Sequence, residues 1–259
     1  MRFSHKLAKI ANGRAFSSAG KRVRRFINDW RLPVKLEPQA IIDTIDRKKF
    51  EEIYARYAVD DPGENWPKYL DLPRWIDINI NRIRQVGLAA PERKRVLDLG
   101  CGAGYFAYIA QLLGHDVTGL DIDQLPMFAE STRMLGLRRV IWRVRPFVPL
   151  PDLGAKFDVV TAFMICFNNH KMPDLWRIPE WEFFLDDLAT HLKPRARVWF
   201  EFNLEWDGTF YSPELRDYFA QRGATIDNQK VVFNSGITPT NSTARATSLQ
   251  AQPSPQSSP

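Results

Sequence analysis

The sequence predicts an α/β fold: a seven-stranded, mostly parallel, doubly wound sheet with N-terminal helices and an antiparallel hairpin at its C-terminal edge. Between about residues 95 and 233, short apolar runs alternate with helical patterns of ten or more residues. Connections of that length require right-handed crossovers and a mostly parallel sheet covered on both faces. A length of 259 residues with 44% hydrophobic content fits one compact domain with modest extensions.

Residues 1–35 are predicted to form a basic N-terminal arm. Residues 1–28 hold eight basic side chains and no acidic one, so the rest of the chain is slightly acidic although the net charge is +6. Three interpretations stay open: a solvated arm, a surface helix that contacts anionic lipid or RNA, or an organelle transit peptide. A detachable positive arm indicates nucleic-acid binding less strongly than a basic stripe on a folded face.

Hydropathy and cysteine content exclude several classes of protein. No run approaches the roughly 18 to 20 apolar residues that span a bilayer, and no secretory signal follows the N-terminal charges. The two cysteines, Cys101 and Cys166, are too few for a disulfide scaffold and have no metal-binding spacing. We therefore expect a cytoplasmic protein without a metal site, in which the two cysteines are small buried thiols. Association with a membrane surface, or a transit peptide, is expected only through residues 1–28.

The elements follow in chain order. Apolar residues at three- and four-residue spacings predict a helical extension over 36–90 that packs over one end of the core. The domain over 91–233 then holds strands over 95–99, 117–120, 140–144, 157–165 and 198–202, with a final hairpin of 224–226 and 231–233. Helices lie over 106–113, 126–135, 181–192 and 213–222, and Pro194 halts the third of these. Residues 234–259 are rich in Ser, Thr, Pro and Gln, which predicts a disordered tail.

The turn after the first strand carries the motif most informative about function. It runs Asp98-Leu99-Gly100-Cys101-Gly102-Ala103-Gly104, and ligands of parallel sheets bind beyond the carboxyl ends of the strands. Three glycines let the main chain approach a ligand closely, and the next helix offers free amide groups. Asp121 ends the second strand about twenty residues on, where a carboxylate meets the hydroxyls of a ribose. A dinucleotide-binding loop would need glycine at position 105, which is Tyr105.

This D-x-G-x-G-x-G loop resembles motif I of the class I S-adenosylmethionine-dependent methyltransferases. VLDLGCGAGYF matches that motif, GLDID resembles the acidic end of the family's second strand, FDVVTAFM its fourth strand, and HLKPRARVWFEF the passage into its fifth. The resemblance covers roughly residues 92–233. It implies a Rossmann-like fold, S-adenosyl-L-methionine as cofactor, and a methyltransferase activity.

The resemblance also implies roles for individual residues. The three loop glycines would line the methionine and ribose of the cofactor, Asp98 would lie near the methionine amino group, Asp121 would hold the ribose hydroxyls, and Ile122 would pack on the adenine. The chain departs from the family pattern at two positions. Pro146 stands where many relatives place an aspartate that contacts the adenine, and Asn168 where many small-molecule O-methyltransferases have a histidine.

Methyl transfer mainly requires that a nucleophile be held in line with an activated carbon. His170, just past the fourth strand, is the best-placed candidate for a catalytic base, the alternative being a loop histidine without a catalytic part. An Asn/Asp-Pro-Pro-aromatic motif is missing there, which disfavours methylation of adenine or glutamine nitrogens. Trp176, Trp206 and Tyr211 fall in loops that usually select the acceptor, with ordinary packing as the alternative interpretation.

The leading functional prediction is O-methylation of a small molecule or glycan. An RNA methyltransferase that holds phosphate with the basic arm is one alternative, and nucleic acid or an anionic membrane surface would be contacted through that arm only. A catalytically inactive binding protein with the same fold is the other alternative.

Overall fold

The computed structural model describes residues 32–58, 66–167 and 172–240. Its helices are α1 (Pro38–Ile42), α2 (Arg47–Tyr57), a 3-10 helix (Trp66–Leu70), α3 (Leu72–Val86), α4 (Tyr105–Leu112), α5 (Pro126–Met134), α6 (Ile178–Thr190) and α7 (Pro213–Gln221). Its strands are β1 (Arg95–Leu99), β2 (Asp116–Asp121), β3 (Arg138–Ile141), β4 (Phe157–Phe163), β5 (Leu192–Glu201), β6 (Ala224–Asp227) and β7 (Lys230–Phe233).

The seven strands form one sheet in the order β3-β2-β1-β4-β5-β7-β6. The first five in this order pair in parallel, whereas β7 runs antiparallel to both β5 and β6. The predicted fold class is confirmed, including the antiparallel hairpin at the C-terminal edge of the sheet. Strand order reverses between β1 and β4, which is where ligands of such sheets bind.

Each face of the sheet has its own hydrophobic core. Successive side chains of a strand point to opposite faces, so Val96 of β1 packs with the N-terminal helices, α4 and α5, whereas Leu97 packs with α6 and α7. In the same way Val159 and Val160 of β4 divide between the two cores. Both faces of the sheet are thus covered, as a parallel sheet requires.

Helix α3 fixes the N-terminal extension to the domain. The Asp71 carboxylate accepts a hydrogen bond from the Arg74 nitrogen at 3.3 Å and caps the helix, and Gly87 ends it with a φ of 87°. Ile76, Ile80 and Ile83 lie on one face and are buried. That face packs on α4, the helix that follows the glycine loop, so α3 lies beside the loop.

Two predicted strand boundaries differ from the structure by three residues or more. Strand β3 ends at Ile141, three residues before the predicted end. Trp142 still donates a main-chain hydrogen bond of 2.9 Å to Asp121 of β2, and Trp142 and Val144 pack partly buried against the core. Strand β5 begins at Leu192, six residues before the predicted start, and contains Pro194. Its pairing register shifts between Phe157 and Val159 of β4, and a proline is tolerated in such an irregular stretch.

The chain remains packed on the domain beyond β7. Gly236 donates a main-chain hydrogen bond to Ala196 at 2.7 Å, Thr238 donates one to Arg222 at 2.9 Å, and Ile237 is buried. The predicted start of the tail at residue 234 is therefore too early, because these contacts hold residues 236–238 against the sheet. The remainder of the predicted tail, 241–259, and most of the predicted arm, 1–31, lie outside the described residues.

Candidate functional site

A cavity of about 1650 Å³ opens at the carboxyl ends of the central strands. It is lined by the glycine loop after β1, the tip of β2, the segments that follow β3 and β4, and residues of the N-terminal extension. Asp98, Asp121, Ile122 and the three loop glycines all line it, so the structure brings together six of the seven predicted site residues. The seventh, His170, lies outside the described residues.

The three loop glycines all have positive φ, but they are required for different reasons. A Cβ on Gly100 would lie 2.2 Å from Cγ2 of Ile165, and one on Gly104 would lie 2.5 Å from Cδ1 of Leu137. These two glycines allow neighbouring protein segments to pack. A Cβ on Gly102 would meet only the Phe128 ring, at 3.7 Å, so Gly102 keeps open space in front of the loop.

The Asp121 carboxylate ties the tip of β2 to the glycine loop. One oxygen accepts a hydrogen bond from the Gly102 nitrogen at 2.5 Å, and the other accepts one from the Ile122 nitrogen at 2.7 Å. Burial raises the pKa of the Asp121 carboxyl, and these two hydrogen bonds oppose that rise. A carboxylate offers about four lone-pair sites, so Asp121 retains capacity to accept hydrogen bonds from a ligand.

Asp98 lies on the floor of the cavity with 3% of its surface exposed. It is paired in register with Thr161 of β4, whose hydroxyl donates a hydrogen bond of 2.7 Å to its carboxylate. Burial raises the pKa of Asp98 to about 7, while the bond from Thr161 and the positive charge of Arg82 act in the opposite direction. The carboxyl therefore changes charge near neutral pH and can respond to a cationic group placed in the cavity.

Ile122 and Trp142 line the far end of the cavity, beyond the tip of β2. Arg139 of β3 donates a hydrogen bond of 2.8 Å to the Ile122 carbonyl and pairs with Asp123, which fixes this corner. The Trp142 indole nitrogen is buried without a hydrogen-bond partner among the described residues. A buried N–H group of this kind is available to a polar ligand.

The N-terminal extension supplies a wall of the cavity that the sequence interpretation missed. Tyr69 stacks on Trp75 with ring centroids 4.6 Å apart and meets Phe128 edge-on at 5.2 Å. Trp75, Asn79 and Arg82 all line the cavity from α3. They repeat at intervals of four and three residues, directly beside the buried isoleucine stripe, and this second stripe is the signal by which they could have been found.

Arg82 is the most buried cation of this wall. Its guanidinium pairs with Glu201 of β5 at 2.9 Å, and the two side chains are 15% and 11% exposed. The guanidinium carbon also lies 4.4 Å from the centroid of the Phe163 ring. This pair links α3 to the carboxyl end of β5, and so holds the extension against the opening of the cavity.

Both cysteines line the cavity, and both are free thiols. Cys101 packs so closely on β2 that a Cβ on Gly119 would lie 2.8 Å from its sulfur, and burial raises the pKa of its thiol. Cys166 is exposed, so the prediction of two buried thiols is wrong for this residue, which follows β4 at the open mouth of the cavity. Burial and the charge of Glu205 nevertheless raise the pKa of the Cys166 thiol.

The three aromatic residues predicted to fall in acceptor loops differ in position. Trp176 is buried and lines the cavity. Tyr211 donates its hydroxyl hydrogen bond to the Asn228 carbonyl and meets Phe202 edge-on. Trp206 is 58% exposed and does not line the cavity.

A family model described as a methyltransferase domain matches residues 73–230, well over half of the chain. The chain belongs to this methyltransferase family. The predicted membership of the class I S-adenosylmethionine-dependent methyltransferases is confirmed. The matched range begins inside α3 and runs through β6 to the start of β7, and so includes every described element that lines the cavity except the 3-10 helix.

Among curated relatives, the ubiquinone biosynthesis O-methyltransferase of Roseobacter denitrificans is 31% identical over 131 residues, which cover 48% of this chain and 52% of that protein. The protein of the same name from Stutzerimonas stutzeri is 27% identical over 164 residues, 61% of this chain and 62% of that protein. The chain thus spans about half the length of the Roseobacter denitrificans protein and 62% of the length of the Stutzerimonas stutzeri protein.

Among solved structures, a TehB-like methyltransferase from Corynebacterium glutamicum is 18% identical with a TM-score of 0.46, over 68% of this chain and all of that one. CalS10, an amino pentose methyltransferase from Micromonospora echinaspora, is 26% identical with a TM-score of 0.36, over 59% of this chain and 54% of that one.

No helix in residues 32–58, 66–167 and 172–240 has the length and hydrophobicity to cross a bilayer. In the same ranges, no group of three His, Cys, Asp or Glu side chains has an arrangement that could hold a metal ion.

Proposed function

We propose that this chain is an S-adenosylmethionine-dependent methyltransferase that methylates a hydroxyl group of a small molecule. The observation that carries the proposal is the clamp between Asp121 and the glycine loop. It places a buried carboxylate with spare acceptor capacity directly beside the open space in front of Gly102.

The residues of the cavity fit this cofactor. Asp121 would accept hydrogen bonds from the ribose hydroxyls, and Ile122 would pack on the adenine beside the indole nitrogen of Trp142, which has no hydrogen-bond partner in the described part of the chain. Helix α4 begins at Tyr105, and the N-cap residue Gly104 has no side chain to cap it, so the first amide groups of the helix are available to a ligand. When bound, S-adenosylmethionine supplies a methyl group on a positively charged sulfur.

Asp98 would hold the cationic methionine end of the cofactor. Its buried carboxyl lies on the floor of the cavity, with one oxygen bonded to Thr161. A cation beside it favours the charged carboxylate and so strengthens the attraction between the two groups. In this proposal Arg82 acts indirectly, because its charge limits the rise in the pKa of Asp98.

The acceptor is proposed from chemistry and from the relatives. The curated relatives are named O-methyltransferases of ubiquinone biosynthesis, which supports a hydroxyl acceptor on a small organic molecule. His170 remains the proposed base, and a glycan hydroxyl is the alternative acceptor. A cytoplasmic location stays a prediction, supported by two free thiols and no disulfide among the described residues.

The experiment is a transfer assay with S-adenosylmethionine labelled in its methyl group. Three acceptor fractions are tested separately: hydroxylated aromatic compounds, free sugars and total RNA. The methyl label incorporated into each fraction is then counted. We expect label in the aromatic fraction with release of S-adenosylhomocysteine. Label confined to RNA, and lost when residues 1–28 are deleted, would favour the RNA alternative. Binding of the cofactor with no label in any fraction would favour the inactive binding protein.

A further inference from the structure

A second cavity, of about 530 Å³, lies beside the first. It is enclosed by the start of α6, the segment after β5 and the start of α7. Its walls are mainly aromatic and apolar, and include Trp176, Trp181, Phe202, Phe210, Tyr211 and Leu215. A volume of this size accommodates a small organic ligand.

The two cavities share a wall at the carboxyl end of β4. Six residues line both: Ile165, Phe167, Pro173, Leu175, Trp176 and Arg177. An acceptor must approach to about 3 Å from the methyl group it receives. A molecule in the second cavity is therefore positioned next to the contents of the first.

The shared wall contains two packed aromatic side chains, Phe167 and Trp176. Phe167 and Trp176 are each 8% exposed, with ring centroids 5.4 Å apart, and Trp181 contacts both at 4.6 and 5.3 Å. These rings belong to the larger aromatic cluster between β5, α6 and α7. Packed aromatic side chains favour stacking or edge contacts with a flat ring.

The polar groups of the second cavity are mainly carboxylates. Glu205 and Glu214 line it, and the one cation among its described lining residues, Arg177, lies 3.9 Å from the Glu180 carboxylate. Glu214 is solvent-exposed, whereas Glu205 is half-buried. The Glu205 main chain is held in a tight turn, its nitrogen bonded to the Thr209 carbonyl at 2.8 Å.

Glu205 lines the second cavity beside the segment that follows β4. Asn203, two residues before it, donates hydrogen bonds to the Met164 carbonyl and, at 3.7 Å, to the sulfur of Cys166, which lines the first cavity and not the second. The turn that carries Glu205 is therefore packed against the segment that forms the shared wall. A carboxylate there accepts a hydrogen bond from a hydroxyl group and repels an anionic ligand.

We infer that the second cavity binds the methyl acceptor, that this acceptor is an uncharged hydroxylated aromatic compound, and that Glu205 accepts the hydrogen bond of its hydroxyl. The inference rests on the proposed function and adds the site and the charge class of the acceptor.

The test is calorimetric titration of the full chain, saturated with S-adenosylhomocysteine, with 4-tert-butylcatechol as a neutral probe and 3,4-dihydroxybenzoate as an anionic one. We expect the neutral probe to bind at least tenfold more tightly than the anionic one. Glu205→Gln should weaken binding of the neutral probe about tenfold, because it removes the charged hydrogen-bond acceptor. It should also narrow the difference in affinity between the two probes, because it removes the repulsion between the carboxylate and the anionic probe. Glu51→Gln, at a solvent-exposed carboxylate that lines neither cavity, is the matched control.

A second variant tests the location. Ile178 lines the second cavity and is 38% exposed. Ile178→Trp should therefore reduce the volume of this cavity and lower the affinity for the neutral probe at least tenfold. Ile141→Trp, at a 58% exposed position outside both cavities, should leave binding unchanged. S-adenosylhomocysteine should bind every variant as it binds wild type, which shows that each variant is folded.

Three outcomes would overturn the inference: no binding of the neutral probe to wild type, equal binding of the two probes, or wild-type affinity in both Glu205→Gln and Ile178→Trp. Failure of S-adenosylhomocysteine to bind wild type would instead contradict the proposed function itself. The two failures are therefore distinguishable within one set of titrations.

Discussion

The Asp121 carboxylate accepts a hydrogen bond of 2.5 Å from the main-chain nitrogen of Gly102. The Leu120 carbonyl next to it accepts bonds from the nitrogens of Gly100 and Cys101, at 2.7 and 3.2 Å. Three main-chain N–H groups of the glycine loop therefore donate hydrogen bonds to the tip of β2. The loop and the carboxylate are positioned by the protein itself, so a ligand binding there meets a site that is already organised.

The loop glycines should respond differently to alanine. Gly102→Ala adds the strain of a positive φ, about 1 kcal/mol, and an ordinary contact with Phe128. Gly100→Ala adds the same strain and a clash with Ile165, so it should cost about 1 to 3 kcal/mol more. Thermal unfolding of both variants tests this order. Gly114→Ala, with a φ of 89° and no atom within 4 Å of its Cβ, measures the backbone strain alone.

Gly102→Ala should be more stable than Gly100→Ala. It should nevertheless bind S-adenosylhomocysteine more weakly than Gly114→Ala does, because the methyl group added at position 102 would enter the cavity. Equal stability of Gly100→Ala and Gly102→Ala would contradict the division of roles between these glycines.

Asp98 should make stability depend on pH. Its pKa is raised from 3.8 to about 7, so between these values the folded protein retains a proton that the unfolded chain has lost. Its contribution to stability is full below about pH 4 and is lost as pH rises through 7. The free energy of unfolding of wild type, relative to Asp98→Asn, should fall by about 1.4 kcal/mol per pH unit between pH 5 and 6.5.

Urea denaturation of both proteins at several pH values measures this difference, and titration of all other groups cancels in the comparison. A difference that stays constant over this range would show that Asp98 is ionised throughout it.

The ion pair between Arg82 and Glu201 should be important for stability. Both side chains are largely buried, so Arg82→Met leaves a buried carboxylate without its cation and should cost about 3 kcal/mol. The double variant Arg82→Met/Glu201→Gln should recover part of this loss. Arg47→Met, which breaks a pair whose side chains are 90% and 62% exposed, should have little effect. Urea unfolding that shifts equally for Arg82→Met and Arg47→Met would contradict the role given to the buried pair.

Much of the fold follows from local sequence patterns. The bounds of β1 and the helix start at Pro126 were predicted correctly, because a buried parallel strand and a proline at a first helical position each have a strong local signal. Ser212 caps α7, its hydroxyl accepting a hydrogen bond of 3.2 Å from the Leu215 nitrogen.

The errors arose where tertiary contacts override local pattern. Trp142 and Val144 pack partly buried against the core beyond the last residue of β3, so the apolar alternation outlasts the strand. Pro194 lies within β5 because a register shift there removes the need for its N–H group. The cavity wall from α3 depends on how a helix outside the sheet packs beside the loop. Arg82 was therefore not predicted as a site residue, whereas the loop glycines and Asp121 were predicted from a local motif.

Calorimetric titration with S-adenosylhomocysteine, applied to wild type and two aspartate variants of β2, tests whether the tip of this strand holds the cofactor. Asp121→Ala removes the carboxylate at the tip of the strand, and Asp116→Ala removes a half-exposed one at the opposite end. We predict that wild type and Asp116→Ala bind alike, that Asp121→Ala loses at least tenfold in affinity, and that NADH does not compete. Wild-type affinity in Asp121→Ala, or displacement of the ligand by NADH, would contradict the account.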